Sequence, residues 1–146
     1  MTASALEVAT AWMEAAARSD LEAVAAGMAE SCLRYGEPSW IVTDKPAYIE
    51  GYRQFLSAFC DYRLEIVNAM ANGRTVVFEM IESATFSGPY ILPDGSVIQP
   101  SGASYADHVC TWVEVSHHGL ISEIRAYIPS TRGALMAAAM ANTTRS

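Results

Sequence analysis

Two carboxylates in the middle of the chain fall in patterns that would carry them into an apolar interior. Glu82 alternates with apolar residues along a predicted strand, and Asp107 shares a strand face with Val109 and Val113. Burial disfavours the charged form of a carboxyl group and so moves its pKa towards neutral pH. A carboxyl group with such a pKa is suited to general acid or base catalysis. We expect Glu82 to be the first catalytic candidate and Asp107 the second. The alternative facing would turn Glu79 inward and leave Glu82 in solvent.

The three histidines do not complete a nucleophilic or metal-binding pattern. His108 follows Asp107 directly, and neighbouring side chains on a strand point to opposite faces, so the two cannot share one pocket. His117 and His118 fall in a predicted hairpin turn without the spacing of a zinc site. The sequence carries no phosphate-binding loop or dinucleotide fingerprint. We therefore expect no metal and no cofactor.

Several bulky side chains could line a cavity for a flat hydrophobic ligand, although aromatic residues at such spacing are usually plain core. An indole N–H or a tyrosine hydroxyl can donate a hydrogen bond to a developing oxyanion. Trp12 or a tyrosine is therefore a candidate for polarising a carbonyl group. The candidate substrate-binding residues are Trp12, Tyr35, Trp40, Tyr52, Phe55, Phe78 and Met80.

Helical periodicity and capping residues predict three helices in the first part of the chain. Residues 4–18 repeat apolar side chains at helical spacing, and the capping box at residues 19–22 begins a second helix that runs to about Glu30. Asp44 caps a third helix that has Pro46 in its first turn. These helices would form one layer of the fold.

The period then changes to two, which predicts antiparallel strands. A short hairpin is expected over residues 31–42, and the signals at Asn72-Gly73, at residues 93–95 and at His118-Gly119 separate later strands. The strands are predicted at residues 62–70, 75–86, 104–115 and 120–128, with a terminal helix at 133–140. This order is that of a single α+β domain over residues 1–146, with the sheet curved over the helices as a half-open cone around an apolar pocket.

Composition and charge narrow the class of partner. The 146 residues are 51% hydrophobic with a net charge of −7 and no run of basic residues, so neither nucleic acid nor an anionic membrane is an expected partner. Cys32, Cys60 and Cys110 lack a C-x-x-C pair and are interpreted as small core residues in a reducing cytoplasm. The first residues, which include Glu7 and Glu14, do not resemble a signal peptide.

Turn and strand motifs in the second half resemble those of the SnoaL-like polyketide cyclases. They are Gly88-Pro89, Pro93-Asp94-Gly95, Pro100-Ser101-Gly102 and the strand from Gly119 to Tyr127. With the order helix, helix, hairpin, helix and four-stranded meander, they are similar to the nuclear transport factor 2-like cone. Ketosteroid isomerases and limonene epoxide hydrolases share this cone. The resemblance covers nearly the whole chain and implies a cystatin-like α+β roll.

The resemblance also marks positions where family acids are absent. The inward Asp that cyclases and epoxide hydrolases carry on the last strand is matched by Ala126. The Arg and Asp that epoxide hydrolases place two residues apart are matched by Met80 and Glu82. The epoxide hydrolase mechanism is therefore not expected.

The ketosteroid isomerases offer a different set of matches. Glu37, which precedes Pro38, resembles their general base, and Trp12 matches the position of their tyrosine. Their second acid aligns with Thr111, or with Asp107 if the strand is slipped by four residues. Through these matches Glu37 becomes a third catalytic candidate, and Thr111 and Ala126 join the substrate-binding positions.

The expected function is a cofactor-independent cyclase or isomerase acting on a hydrophobic, polyketide-like intermediate of secondary metabolism. A shape-driven ring closure of the cycloaddition type, without proton transfer, is a variant because the usual cyclase acid is missing. The alternatives are an isomerase in which Glu37 shuttles the proton, and a non-catalytic binding or dimerisation module. An apolar outer sheet face with Trp112 and Val77 predicts a homodimer.

Overall fold

The computed structural model describes residues 2–36 and 40–143, with side chains up to residue 141. Within these ranges the chain forms helices and strands in an α+β arrangement. In chain order they are α1 (Ala5–Ala17), α2 (Leu21–Ala26), β1 (Met28–Gly36), β2 (Ile41–Asp44), α3 (Lys45–Ala58), β3 (Phe59–Asn72), β4 (Thr75–Phe86), β5 (Tyr90–Ile91), β6 (Val97–Ile98), β7 (Ser104–Val115), β8 (Ile121–Tyr127) and α4 (Thr131–Thr143).

A side-chain oxygen caps the N-terminus of each of the first three helices. Ser4 accepts a hydrogen bond from the backbone of α1, Asp20 from that of α2 and Asp44 from that of α3. Each cap satisfies a backbone N–H that has no partner within its helix. Helix α2 ends at Ala26, short of the predicted Glu30, because the chain there turns into β1 and pairs with β8.

Six strands form one sheet in the order β2-β1-β8-β7-β4-β3. Strands β3, β4, β7 and β8 are antiparallel neighbours, which confirms the predicted meander. Strand β1 pairs in parallel with β8, and this long-range pairing joins the first hairpin to the end of the meander. Between β4 and β7, the segment with Pro93 and Gly95 forms a small hairpin of β5 and β6, where the sequence pattern predicts only a turn. Tight turns at Gly73 and Gly119 have φ of +63° and +74°, which glycine adopts without strain.

The two faces of the sheet differ in what covers them. Side chains on one face, called here the helix-covered face, pack against α1, α3 and α4. In β4 and β7 its members are Val76, Phe78, Met80, Glu82, Ala84, Phe86, Tyr105, Asp107, Val109, Thr111 and Val113. The opposite side, the open face, presents Val77, Glu79, His108, Cys110, Trp112 and Tyr127.

Two clusters of buried side chains occupy the interior. The first lies between α1, α2 and the sheet and includes Phe78 and Met80. The second joins the end of α3 to α4 and includes Phe55 and Ala84. Glu82 falls between Met80 and Ala84 along β4, so it lies where the two clusters meet.

The prediction that all three cysteines are core residues is wrong for two of them. Cys32 is buried, but Cys110 is half-buried on the open face and Cys60 is exposed where the pairing of β3 shifts register. The three thiols are free. None of the helices in the described ranges has the length and apolar character needed to traverse a bilayer.

Candidate functional site

Three donors surround the buried carboxylate of Glu82, whose side chain is 9% exposed. The Tyr105 hydroxyl donates a hydrogen bond to Oε1 at 2.8 Å, and Nη1 of Arg132 approaches the same oxygen at 3.4 Å. The Tyr62 hydroxyl donates to Oε2 at 3.3 Å. Both carboxylate oxygens are therefore engaged, and the group is oriented by contacts from three separate elements.

Each donor is placed by the element that carries it. Tyr62 lies near the start of β3, and Tyr105 lies on β7 directly across from Ala84. Arg132 lies in the first turn of α4, and its guanidinium carbon is 4.5 Å from the centroid of the Phe55 ring. This cation–π contact fixes the guanidinium over α3 while its nitrogen reaches Glu82. The site therefore depends on the packing of α4 against α3.

A third tyrosine extends the network away from Glu82. The Tyr52 hydroxyl on α3 is 3.2 Å from the Tyr62 hydroxyl and 3.2 Å from the carbonyl oxygen of Ala16. Since a phenol has one hydrogen, Tyr52 can donate to either of these oxygens at a time. When Tyr52 donates to Tyr62, a hydrogen-bonded chain runs from Tyr52 through Tyr62 to the carboxylate; when it donates to Ala16, the link between the two tyrosines is not made, because the hydrogen of Tyr62 is already directed to Glu82.

The pKa values of the tyrosines and of Arg132 are raised, so these groups keep the hydrogens that they donate to Glu82 and to each other. Burial raises the pKa of the Tyr52, Tyr62 and Tyr105 hydroxyls, and the charge of Glu82 adds to this effect. Burial alone would lower the pKa of the Arg132 guanidinium, but Glu82 and Tyr105 outweigh it and the pKa is raised. At neutral pH the tyrosines stay protonated and the arginine stays charged.

Asp107 has a contrasting environment. It pairs directly with Glu82 across β4 and β7, is 8% exposed and lies on the helix-covered face, as predicted. Its Oδ2 atom is buried, and no residue in the described ranges donates a hydrogen bond to it. The structure thus brings the two predicted carboxylates together but supplies donors to Glu82 alone.

Other predicted residues lie along the same face. Thr111 is buried and pairs with Phe78 on one side and with Ala126 on the other. Met80 and Phe55 are also buried, and Phe55 lies against Arg132. These residues provide an apolar wall with one hydroxyl, next to the two carboxylates.

Trp12 does not occupy the position expected of a substrate donor. Its indole N–H donates to the carbonyl oxygen of Val24 at 3.0 Å, and both residues are buried. This bond ties α1 to α2 within the first cluster. The donor is used internally, so the expectation that Trp12 polarises a ligand carbonyl is wrong for this structure.

Tyr35 and Trp40 do not line the interior either. Trp40 is 44% exposed, and its ring centroid lies 5.1 Å from that of Tyr127 on the open face and 6.3 Å from that of Tyr35. Side chains alternate along β1, and Gly36 and Arg34 take the inward positions beside Ala126. The prediction that Tyr35 and Trp40 bind substrate inside the cone is therefore wrong.

Glu37 lies outside the described residues, so its role as a general base stays a prediction. His108 is exposed on the open face while Asp107 is buried, as the alternation of a strand requires. Among residues 2–36 and 40–143, no group of three or more His, Cys, Asp or Glu side chains is arranged to hold a metal ion.

Two surface grooves lie apart from the carboxylates. One of about 590 Å³ lies on the open face beside Glu79, His108 and Cys110. The other, of about 380 Å³, lies beside α1 and includes Trp12. Around Glu82 the space is instead filled by Tyr62, Tyr105, Arg132 and the aromatic residues of α3. Counting backbone and side chain together, Glu82 is 7% exposed. The open apolar pocket expected from the cone is therefore closed here by side chains and α4.

Tyr62, Tyr105 and Arg132 were not among the predicted site residues. Tyr105 could have been found from the period of two, because it precedes Asp107 by two residues on the same strand face. Tyr62 begins a predicted strand and alternates with Leu64 in the same way. Arg132 has no such signal, since its approach to Glu82 depends on how α4 docks.

The fold, and the turn motifs of the second half of the chain, agree with the family that the sequence matches. Residues 9–124 match the SnoaL-like domain family. The chain belongs to this family. The family predicted from the turn motifs is confirmed, as is the nuclear transport factor 2-like α+β fold. No curated protein sequence gives a significant match.

Solved structures with this fold carry different names. BvnE pinacolase from Penicillium brevicompactum has a TM-score of 0.75 at 12% identity, and the match covers 97% of each chain. A candidate SnoaL-like polyketide cyclase from Jannaschia sp. CCS1 has a TM-score of 0.74 at 15% identity, again over 97% of each chain. AclR from Streptomyces galilaeus, a candidate hydroxylase, has a TM-score of 0.70 at 20% identity over 86% of this chain and 88% of its own. At these identities the likeness establishes the fold and leaves the reaction to the site.

Proposed function

We propose that this protein is a cofactor-independent cyclase or isomerase that acts on a hydrophobic, polyketide-like intermediate. The observation that carries the proposal is the buried Glu82 carboxylate, which two tyrosines and an arginine orient beside a second carboxylate. Membership of the SnoaL-like family and the neighbouring structures named as cyclases support the same class of reaction.

In the proposed reaction, Glu82 accepts a proton from a carbon next to a ligand carbonyl. The electron pair of the broken C–H bond moves onto the carbonyl oxygen and forms an enolate. Tyr105 and Arg132 then donate hydrogen bonds to this oxygen, a role first expected of Trp12. Ring closure follows if the enolate carbon attacks a second carbonyl of the same chain and the resulting alkoxide takes back the proton held by Glu82. Isomerisation follows if Glu82 returns this proton to a different carbon of the enolate system.

The ligand reaches Glu82 from the side that α4 covers. Leu135, Met136 and Ala139 of α4 pack on the second cluster, and most other residues of this helix are exposed. A bound ligand would displace the Arg132 side chain from Phe55 and take over part of its contact. In this position the apolar wall holds a flexible chain in a folded conformation, which lowers the entropic part of the barrier.

The test begins with a thermal-shift screen against hydrophobic polyketides, polyenes and 3-ketosteroids, and each ligand that stabilises the protein is followed for product by mass spectrometry and NMR. A ligand that binds the folded state raises the melting temperature by mass action. With the substrate in hand, Glu82→Gln should lower the rate about 100-fold or more if Glu82 transfers a proton.

Glu79→Gln is the matched control, because Glu79 lies on the same strand but is exposed on the open face. A Glu82→Gln rate within a few-fold of wild type would instead indicate the shape-driven ring closure. Collapse of activity in Glu37→Gln alone would indicate the isomerase in which Glu37 moves the proton. Stabilisation by ligands without any product would indicate a binding module.

We also propose that the protein forms a homodimer through the open face. Large apolar side chains are exposed there, with Met70 at 63%, Val67 at 49% and Trp112 at 38%. Soluble monomers rarely leave such a patch uncovered. Sedimentation equilibrium should show a dimer that Trp112→Glu dissociates, and a concentration-independent monomer would contradict the proposal.

A further inference from the structure

Asp107 is the buried polar side chain that the hydrogen-bond network leaves without a donor. It is 8% exposed, and among the described residues 2–36 and 40–143 nothing donates to its Oδ2 atom. Buried polar atoms in folded proteins are almost always hydrogen-bonded, because losing water without a replacement is costly. An exception inside a candidate site indicates an atom kept for a ligand.

The two facing carboxylates are equipped for different tasks. The oxygens of Glu82 accept three hydrogen bonds from protein donors, which hold the carboxylate in place and leave a lone pair on Oε2 for the proton transfer proposed above. Asp107 stands directly opposite on β7 and keeps a lone pair unused. Its neighbours along the same strand face are Tyr105, whose hydroxyl is directed to Glu82, and the apolar Val109.

We propose that Asp107 Oδ2 accepts a hydrogen bond from the ligand, so that the ligand is a hydrophobic molecule carrying an O–H or N–H donor. This inference rests on the proposed function, because it names the substrate class of the same site. Side chains that face each other on adjacent strands have Cβ atoms about 5 Å apart. A donor held by Asp107 therefore places the adjoining carbons beside Glu82, the group proposed to take the proton.

The first experiment measures the stability of the protein without ligand. Asp107→Asn and Asp107→Val should melt at the wild-type temperature or about 3 °C above it, since each removes a buried carboxylate oxygen that has no donor. Glu79→Gln is the control and should melt at the wild-type temperature. A fall in the melting temperature of both Asp107 variants would overturn the proposal, because Asp107 would then have a structural partner.

The second experiment uses three probes of one size: 2-naphthol, 2-naphthylmethylamine and 2-methoxynaphthalene. Isothermal titration calorimetry should show that the wild type binds at least one donor probe about tenfold or more tightly than the methoxy probe, a difference of about 1.4 kcal/mol. The preference should fall to within about twofold in Asp107→Val and persist in Glu79→Gln. Comparing the naphthol with the amine tells whether the donor is a hydroxyl or a cation.

The outcomes separate this inference from the proposed function. Equal binding of all three probes to the wild type, or a donor preference that survives in Asp107→Val, would overturn the role of Asp107 and leave the proposed reaction standing. A wild type that binds none of the probes would show that the side chains and α4 over Glu82 and Asp107 do not open to a ligand, and both proposals would fail together.

Discussion

The helix-covered face of the sheet has an apolar end and a polar end. At the apolar end, one buried cluster includes Trp12, Val24, Val113 and Ile121, and the indole N–H of Trp12 donates to the carbonyl oxygen of Val24 within it. At the polar end, Glu82 and Asp107 continue the same alternation of inward-facing residues but meet tyrosines and an arginine. The same strands thus build a core at one end and a candidate reaction centre at the other. Strand alternation therefore determines which side chains are buried, and the side chains of adjoining elements determine whether a buried group can take part in a reaction.

The largest effect on stability is expected at the apolar end. Phe78 is 0% exposed, and Phe78→Ala should lower the free energy of unfolding by about 3–5 kcal/mol through lost burial and a cavity. Urea denaturation measures this loss. Ile91→Ala, on the small β5–β6 hairpin at 47% exposure, is the control and should change stability by less than about 0.5 kcal/mol. Equal effects of the two variants would break the distinction between a packed end and an exposed surface.

A smaller effect is expected when the ion pair of the polar end is broken. Arg132→Met leaves the buried Glu82 without its cation and should cost about 2 kcal/mol, with a discount for the 27% exposure of the Arg132 side chain. The double variant with Glu82→Gln should recover part of this loss, and a double-mutant cycle measures the coupling.

The control for that cycle is Arg53→Met, because Arg53 pairs with Glu50 on the surface and both side chains are 58% exposed. Its effect should be small, as is usual for exposed pairs. Additive effects of Arg132→Met and Glu82→Gln would show that the two groups do not interact in solution.

The smallest effect concerns alkaline pH and lies again at the apolar end. Burial raises the pKa of the Cys32 thiol from 9.0 to about 11. Below pH 9 the thiol is protonated in both states, so its contribution is fully present there. Above pH 9 the unfolded state loses the proton first, and stability should fall by about 1.4 kcal/mol between pH 7 and pH 10 from this group alone. Cys32→Ala should show a correspondingly shallower decline in urea denaturation across this range, and an unchanged slope would contradict the assignment.

The polar end contributes to the same alkaline decline through its tyrosines. Burial raises the pKa of Tyr62 and Tyr105, so the stability they contribute is also lost only at high pH. Tyr62→Phe separates this share from that of Cys32. The pH dependence therefore distinguishes the buried Cys32 thiol at one end, whose contribution falls above pH 9, from the buried phenols at the other, whose contribution falls above pH 10.

Much of the fold could be predicted because its signals are local. Asp44 accepts a hydrogen bond from a residue three positions ahead, so its predicted capping role followed from a short sequence pattern. The cap of α2 is Asp20, one residue after the start of the predicted capping box, so the pattern located the helix start to within one residue. Gly73 and Gly119 mark turns because left-handed φ favours glycine. The burial of Glu82 and Asp107 followed from the period of two in their strands.

The errors arose where a local pattern could not say which face or partner a side chain meets. Tyr35 and Trp40 are aromatic and near a predicted turn, but the parallel pairing of β1 with β8 places Tyr35 opposite Arg125, and the Trp40 ring packs against Tyr127 on the open face. Trp12 is buried as its spacing indicated, yet its N–H is taken by Val24 of α2. Both outcomes depend on contacts between separate elements.

The sequence by itself determined the order of the elements, the inward alternation of the strands and the membership of the SnoaL-like family. Only the tertiary structure decided what surrounds Glu82, because its partners come from positions 20, 23 and 50 residues away along the chain. Capping and strand alternation depend on the geometry of a few successive residues, so a short pattern encodes them. Contacts between residues so far apart in the chain depend on strand register and on the docking of α4, and no short sequence pattern encodes them.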